Sequence, residues 1–378
     1  MSRRLFKELD RSYGFDEVAI VPGNVTINPE MTSTKMTIGN CTFDAPMMAS
    51  AMDGTVSPRF ATLMHEMGGL GVLNGEGLYT RYDDPYSILE EITSMPQAEV
   101  TQYLQQVYAE PIKENLIGQR VQEIKGSGAT CAIAFTPQNT KRMSPAAVEA
   151  GADIVVVQST VTTARHQSRS YRGLVFSELI ESLQVPVVVG NCVTYDVALE
   201  LMDTGVDGIL VGVGPGAACT TREVTGVGVP QVSATLECAA ARRDYFHRTG
   251  RYVSVITDGG IRTGGDFCKA MASGADGVMV ATPFAQAEEA PGRGYNWGMA
   301  NAHAELPRGT RIKVGTRAPL KQIMYGPTSV TNGTQNLVGA LQICMGMCGA
   351  HTIRDFHQVD MVVAPSIKTE GKFFQMSE

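Results

Sequence analysis

Short apolar segments recur eight times along the chain, and helix-like patterns separate them. Near-continuous apolar runs are typical of strands that are covered on both faces, as in parallel sheets. Eight such strands with helices between them predict an α/β fold, the (β/α)8 TIM barrel. The predicted strands are Ala45–Ser50, Gly69–Asn74, Ala129–Phe135, Asp153–Gln158, Val185–Asn191, Gly208–Gly212, Val253–Asp258 and Gly277–Ala281.

A weak internal repeat supports the barrel. Gly151-Ala-Asp153, Gly205-Val-Asp207 and Gly274-Ala-Asp276 each join the end of a helix-like segment to a strand, and glycine suits the position just after a helix. We expect a single catalytic barrel domain over residues 1–378. Two stretches exceed simple loops: a helical insert at 75–128, after the second strand, and a glycine-spaced segment at 283–336, after the eighth. The second predicts a mobile lid, with a passive surface excursion as the alternative.

The composition argues against several classes of protein. A net charge of −7 provides no basic field to attract nucleic acid. No apolar run reaches transmembrane length and no signal-peptide pattern follows Met1, so we expect a cytoplasmic protein without a membrane partner. The eight cysteines lack C-x-x-C spacing and a disulfide-like regularity, which indicates reduced thiols. Cys344 and Cys348 lie four residues apart on a helical stretch, where core packing is expected and a metal pair is the alternative.

A cysteine lies on a glycine-rich loop directly after the sixth predicted strand. The loop reads Gly214-Pro-Gly-Ala-Ala-Cys-Thr-Thr-Arg222. A thiol is only a few per cent ionised at neutral pH, and backbone N–H groups of a glycine loop can stabilise the thiolate. Cys219 is therefore a candidate nucleophile. A small buried cysteine in a turn is the alternative, and the flanking glycines and the polar Thr-Thr-Arg tail count against it.

Polar residues and glycines follow almost every predicted strand. In a barrel these positions share one rim, where active sites form. They are Ser50, Asp53, Asn74, Thr136, Gln158, Ser159, Asn191, the loop from Gly214 to Cys219, the run from Asp258 to Arg262, and Thr282.

Barrels often bind phosphate with the loops after the seventh and eighth strands. Gly259 and Gly260 can present N–H groups to an anion, and Thr282 adds a hydroxyl. The carboxylate of Asp258 suits a ribose diol. Asp-Gly-Gly alone is also a common tight turn. Beside the Cys219 loop, however, the run predicts a site for a nucleoside monophosphate.

These motifs resemble the IMP dehydrogenase/GMP reductase family. The cysteine loop, continuing through Thr225-Gly-Val-Gly-Val-Pro-Gln231, is similar to the family's catalytic loop almost letter for letter. The resemblance spans most of residues 13–350. Further segments in family order are Tyr13-Gly-Phe-Asp-Glu-Val-Ala-Ile-Val-Pro22, Ala49-Ser-Ala-Met-Asp53, Gly68-Gly-Leu-Gly-Val72, Val189-Gly-Asn191, Thr257-Asp-Gly-Gly-Ile-Arg262 and Val314-Gly-Thr316.

The resemblance implies roles for individual residues. Cys219 would attack C2 of a purine nucleotide, with Thr221 in the proton relay. The implied substrate-binding residues are Ser50, Met52, Asp258, Gly259, Gly260, Ala281, Thr282, Val314 and Gly315. The implied residues for NAD are Gln158, Ser159, Asn191, Gly212 and Gly214. A homotetramer is also implied.

The chain departs from the family pattern at several points. About fifty residues stand where dehydrogenases usually carry two CBS modules, and Gln158 replaces an aspartate that meets the nicotinamide ribose. The lid lacks both the Arg-Tyr pair of the dehydrogenases and, over 317–336, the carboxylate of the reductases. Arg317 and Lys321 are candidates for the hydrolytic base only because they lie on the lid. These departures indicate a short branch of the family without CBS modules.

We expect an IMP dehydrogenase that oxidises IMP to XMP with NAD⁺ in guanine nucleotide biosynthesis. The alternatives are a GMP reductase, which would convert GMP and NADPH to IMP and ammonia, and a nucleotide-binding regulatory protein without turnover. The resemblance also implies a possible K⁺ at the carbonyls of Gly214, Gly216 and Cys219. Lys372, where the family tail has glycine, is a candidate to replace that ion, and a solvated tail lysine is the alternative.

Overall fold

Eight parallel strands close into a barrel in a computed structural model that describes residues 9–167, 173–298 and 311–365. The first strand pairs with both the second and the eighth, which closes the ring. Every predicted strand is confirmed, with bounds that fall within the predicted ranges except that the fifth strand ends one residue later, at Cys192. In chain order the barrel strands are Met47–Ala49, Leu70–Asn74, Ala132–Phe135, Ile154–Gln158, Val187–Cys192, Gly208–Val211, Ser254–Asp258 and Gly277–Val280.

The strands form because nearly all of their residues are buried. One set of side chains fills the barrel interior, including Met48, Val156 and Met279. The alternate set packs outward against the helices, as Val155 and Val189 do. Burial on both faces explains why these segments read as continuous apolar runs rather than as alternating patterns.

Helices surround the barrel and also occupy the insert at 75–128. Ser57 begins the first helix by accepting a hydrogen bond from the Phe60 N–H group. The α-helices are Pro58–Glu66, Pro85–Ser94, Gln97–Ala109, Glu114–Lys125, Pro137–Glu149, Phe176–Leu183, Tyr195–Asp203, Thr221–Thr225, Gln231–Thr249, Gly264–Ala272, Thr282–Ala285, Leu320–Tyr325, Leu337–Met347 and Ile353–Phe356. Short 3-10 turns cover Phe15–Glu17, Pro29–Met31 and Leu78–Thr80. None of the helices within the described ranges is long and apolar enough to cross a membrane.

Three small antiparallel pairs flank the barrel. Val18–Ile20 pairs with Met361–Val363, which joins the two ends of the described chain. Met36–Ile38 pairs with Cys41–Phe43 before the first barrel strand. Tyr295–Trp297 pairs with Arg311–Lys313 in the segment expected to form a lid. The residues between these last two strands, 299–310, lie outside the described part, so the expected motion of the lid stays a prediction.

The Gly-x-Asp repeat stabilises the rim of the barrel opposite the strand C-termini. Its three glycines have φ between +96° and +107°, which favours glycine. Each aspartate accepts a hydrogen bond, 2.7 to 2.9 Å long, from a backbone N–H within one residue of the start of the neighbouring strand. A cation within 3.0 Å also pairs with each aspartate. The aspartates are Asp153, Asp207 and Asp276, and their cations are Lys125, Arg251 and Arg242.

Candidate active site

A cavity of about 1040 Å³ opens at the C-terminal ends of the barrel strands. Its volume is at the upper end of the range for small-molecule sites. The predicted site residues that line it are Ser50, Met52, Gln158, Ser159, Asn191, Gly212, Gly214, Gly216, Cys219, Asp258, Gly259, Gly260, Ala281 and Thr282. The structure therefore brings most of the predicted residues to one cavity.

The cysteine loop leaves the sixth strand through glycines that no other residue can replace. Gly212 has φ +144°, and a Cβ there would collide with the backbone oxygen of Asp258. Gly214 has φ +76°, and its Cβ would lie 2.5 Å from Cγ of Arg222. Both the backbone conformation and the lack of space require glycine at these positions.

The side chain of Arg222 stabilises the cysteine loop by hydrogen bonds to residues at both of its ends. Its Nε donates to the Val213 oxygen at 3.1 Å and its Nη2 donates to the Val229 oxygen at 2.7 Å. The guanidinium thus ties the two ends of the loop together. Between them, the thiol of Cys219 donates to Oγ1 of Thr221 over 3.1 Å. A hydroxyl both donates and accepts, so Thr221 can donate to the sulfur once the thiol ionises.

Gln231 joins the ends of the sixth and seventh strands, and sequence reasoning did not assign it a role. Its Nε2 donates to the backbone oxygens of Val211 at 2.7 Å and Asp258 at 2.9 Å. The side chain is 3% exposed, and its Oε1 has no hydrogen-bond partner among the described residues. Only its place in the motif after the cysteine loop pointed to it.

Asp258 ends the seventh strand and is held by two amides from the fourth and fifth strands. Its Oδ2 accepts from Gln158 Nε2 at 2.9 Å and from Asn191 Nδ2 at 2.8 Å. Desolvation at the base of the cavity raises the pKa of Asp258 to about 6, although both hydrogen bonds lower it. Oδ1 takes part in neither bond, so it can accept a hydrogen bond from a ligand.

The Gly259-Gly260 turn follows directly. Both glycines have a left-handed backbone, with φ +83° and +79°, and a Cβ on either would press on Pro215 of the cysteine loop. The Gly259 N–H donates to the Met279 oxygen within the barrel. Of the two N–H groups expected to face an anion, that of Gly260 is therefore the one that can do so.

Glu76 extends the cavity beyond the residues that the sequence singled out. Its carboxylate accepts from the Thr136 N–H at 2.6 Å and from Asn139 Nδ2 at 2.7 Å. It is 8% exposed and lines the cavity wall after the second and third strands. Its place just after a strand was the available signal, but a glutamate in a loop is too common to stand out.

The insert supplies another wall residue. Tyr108, on the helix Gln97–Ala109, donates to Asp53 and accepts from Trp297 Nε1 at 2.7 Å. Trp297 is the only tryptophan in the chain. This chain of contacts links the insert, the first strand end and the segment after the eighth strand. No local sequence pattern predicts these contacts, because Tyr108 is 55 residues from Asp53 and 189 residues from Trp297.

The IMP dehydrogenase / GMP reductase domain model matches residues 12–373. The chain belongs to this family. It is 39% identical to an uncharacterized oxidoreductase of Mycobacterium tuberculosis, over 93% of this chain and 96% of the other. It is 27% identical to inosine-5′-monophosphate dehydrogenase of Cryptosporidium parvum, over 97% and 94%. A crystal structure of an IMP dehydrogenase/GMP reductase-like protein from Corynebacterium glutamicum matches with a TM-score of 0.89 and 35% identity, over 96% and 97%.

Five residues expected to contribute to this family site are not among those that line the cavity: Thr221, Val314, Gly315, Arg317 and Lys321. Thr221 nevertheless contacts the thiol of Cys219, which does line it. The N–H groups of Val314 and Gly315 both donate to the Gly294 oxygen at 2.9 Å, and the Val314 oxygen accepts from Gln286. These backbone groups are thus engaged within the chain. Arg317 and Lys321 are exposed on the surface.

The structure also bears on the K⁺ expected at the cysteine loop and on the alternative of a metal at Cys344 and Cys348. The Cys219 N–H donates to the Gly216 oxygen at 3.0 Å, so one of the three carbonyls expected at K⁺ already accepts a hydrogen bond. Lys372 lies outside the described residues. Cys344 and Cys348 pack against the core, as expected. The described ranges contain no group of three or more His, Cys, Asp or Glu residues that could hold a metal ion.

Proposed function

We propose that this chain is an IMP dehydrogenase, which oxidises IMP to XMP with NAD⁺ through a covalent adduct on Cys219. The observation that carries the proposal is the meeting of the Cys219 loop and Asp258 at one cavity. A nucleophile and a ribose-binding carboxylate on adjacent strand ends suit a nucleotide that reacts at its base. The similarity to the Cryptosporidium parvum enzyme supports the same assignment.

The substrate would be held at the ends of the seventh, eighth and first strands. Asp258 Oδ1 would accept from a ribose hydroxyl, and a charge-assisted bond of this kind is stronger than a neutral one. The Gly260 N–H and the Thr282 hydroxyl would donate to the phosphate. Ala281 and Ser50 line the same side of the cavity. Together these contacts would fix C2 of the purine relative to the Cys219 sulfur.

Cys219 would then act as the nucleophile. Its thiolate adds to C2 of IMP, and the electrons of the C2=N3 double bond move to N3. Loss of hydride from C2 leaves a thioimidate. Water adds at C2 and the thiolate leaves, which gives XMP. The covalent intermediate divides one difficult oxidation into two easier steps. Thr221, 3.1 Å from the sulfur, can donate to the thiolate before attack and after release.

The donor set of the fourth and fifth strand ends fits a nicotinamide cofactor. Gln158 Oε1 is buried and has no hydrogen-bond partner among the described residues, which leaves an acceptor for a carboxamide N–H. Gln158 and Asn191 are fixed by their bonds to Asp258, so they would also orient the cofactor. Ser159 and Gly214 would complete this side. Bound NAD⁺ supplies the acceptor for the hydride that leaves the substrate.

Absorbance of the reduced dinucleotide near 340 nm tests the proposal directly. Purified protein with IMP and NAD⁺ should show a rise, accompanied by XMP. The same protein with GMP and NADPH should show no fall. A fall without IMP-dependent activity would assign GMP reductase instead. Tight binding of IMP with neither reaction would assign a nucleotide-binding protein without turnover.

A further inference from the structure

The cavity has a second wall that lies across the barrel from Cys219. The Cys219 and Asp258 loops follow the sixth and seventh strands, whereas Glu76 and Thr136 follow the second and third. In a ring of eight strands these pairs are diametrically opposed. Strand spacing and tilt place opposite strands about 15 Å apart. A dinucleotide with its nicotinamide half near Cys219 is therefore long enough to reach Glu76 with its other half.

Glu76 is fixed in place rather than free to rotate. Each carboxylate oxygen accepts one hydrogen bond, from the Thr136 N–H at 2.6 Å and from Asn139 Nδ2 at 2.7 Å. The Glu76 N–H also donates to Asn74 Oδ1 at 3.1 Å. A carboxylate has about four acceptor positions, so about two stay available toward the cavity. None of the described Lys or Arg side chains forms a salt bridge with this carboxylate.

Arg81 also lines the cavity, and its guanidinium contacts the backbone beside Glu76. Its Nε donates to the Glu76 backbone oxygen at 3.1 Å, and its Nη1 donates to the Glu110 oxygen. The guanidinium also lies 5.9 Å from the ring centroid of Tyr108. Arg81 thus fastens the turn that carries Glu76 to the insert helix. These two donors face backbone carbonyls, which suits a positioning role.

We propose that Glu76 binds the adenosine ribose diol of the cofactor and selects NAD⁺ over NADP⁺. The inference rests on the proposed function for the identity of the ligand. A 2′,3′-diol offers two donors, which match the two available acceptor positions. A 2′-phosphate offers only acceptors and two negative charges, which the fixed carboxylate repels. The same chemistry distinguishes the two dinucleotides in Rossmann folds, where an acidic residue binds the 2′-hydroxyl.

Calorimetric binding of NADH and NADPH to the full-length protein tests this without turnover. Wild-type protein should bind NADH at least tenfold more tightly than NADPH. Glu76→Gln keeps the side-chain shape and can still accept from Thr136, so the fold should persist. The variant should bind NADH more weakly and NADPH more tightly than the wild type, so that its two affinities differ by no more than about threefold. Glu99→Gln, an equal loss of charge on an exposed position of the insert, should leave the ratio unchanged.

Two outcomes would overturn the inference: equal affinity of the wild-type protein for NADH and NADPH, or an unchanged ratio in Glu76→Gln. Circular dichroism of each variant establishes that the comparison is between folded proteins. ADP-ribose and 2′-phospho-ADP-ribose, which lack nicotinamide, should reproduce the same ratios if the adenosine ribose is the group recognised. Selectivity for NADH without IMP oxidation would count against the proposed reaction and leave the role of Glu76 standing.

Discussion

Asp258→Asn should stabilise the protein without ligand while it abolishes tight IMP binding. The carboxylate lies at the base of the cavity and is held by two amides, Gln158 and Asn191, with no cation among its hydrogen-bond partners. Burial raises the pKa of Asp258 from an ordinary 3.8 to about 6. Folding therefore places an anion where a neutral group is preferred. Asparagine can accept the same two amide hydrogen bonds without the charge.

The magnitude follows from that pKa. Two units correspond to about 3 kcal/mol between the two protonation states. Because Asp258 reaches solvent through the cavity, and because asparagine loses the charge assistance of both bonds, the expected gain at pH 8 is about 1–2 kcal/mol. An acid whose folded pKa is raised contributes stability below its unfolded pKa and loses it as pH rises through the folded value. Asp258 should therefore lower wild-type stability between about pH 4 and pH 6.

Urea unfolding of both proteins at pH 5 and pH 8 measures this difference. At pH 5 about half of the effect has developed, so the gap between variant and wild type should be larger at pH 8 by about 1 kcal/mol. Asp360→Asn, at an exposed position, provides a control whose gap should not change. IMP affinity of Asp258→Asn should fall by roughly 2–4 kcal/mol. An equal gap at both pH values would refute the argument from burial, and affinity within threefold of wild type would refute the ribose assignment.

Four further variants test the other parts of the site. Cys219→Ala should abolish turnover and retain IMP binding by calorimetry, and activity above a per cent or so of wild type would remove Cys219 from the nucleophile role. Arg222→Met should lower kcat at least tenfold because it releases both ends of the loop, and equal kcat would show that the loop closes without those bonds. Arg317→Ala and Lys321→Ala should each keep kcat within threefold, since neither side chain lines the cavity. If kcat falls a hundredfold in either variant while the Cys219 adduct still forms, the substituted residue is the hydrolytic base on the lid.

The barrel could be predicted from the sequence because its strands are buried on both faces. Runs such as Ile154–Gln158 and Val187–Cys192 leave no exposed face to interrupt the apolar pattern. The Gly-x-Asp repeat was recognised as a helix-to-strand junction. The hydrogen bonds of its aspartates could not be predicted from the sequence, since the N–H group that Asp153 accepts from lies 22 residues earlier, at Cys131. A hydrogen bond between neighbouring strands cannot be recognised from the identity of either residue alone.

The meeting of the cysteine loop and Asp258 at one cavity was predictable for a related reason. Gly214, Cys219 and Asp258 lie at strand ends, and their chemistry is unusual enough to be read one residue at a time. The role of Gln231 was harder to predict. A buried glutamine that donates to two backbone oxygens cannot be distinguished in the sequence from a glutamine on the surface. The backbone bonds of Val314 and Gly315 with Gly294 could not be foreseen, since they depend on how the segment after the eighth strand folds back.

The side of the cavity that carries Glu76 and Tyr108 shows where sequence reasoning stops. Glu76 becomes a fixed acceptor only because Thr136 and Asn139, sixty residues later, donate to it from the next strand end. Tyr108 reaches the cavity only because the insert helix docks against Trp297. The insert therefore adds part of a wall to the barrel mouth, and it does so at the second strand end, across from Cys219. Under the proposed function, a segment in that place would influence which dinucleotide binds without touching the nucleophile, so the reaction and the cofactor preference can be tested separately in this chain.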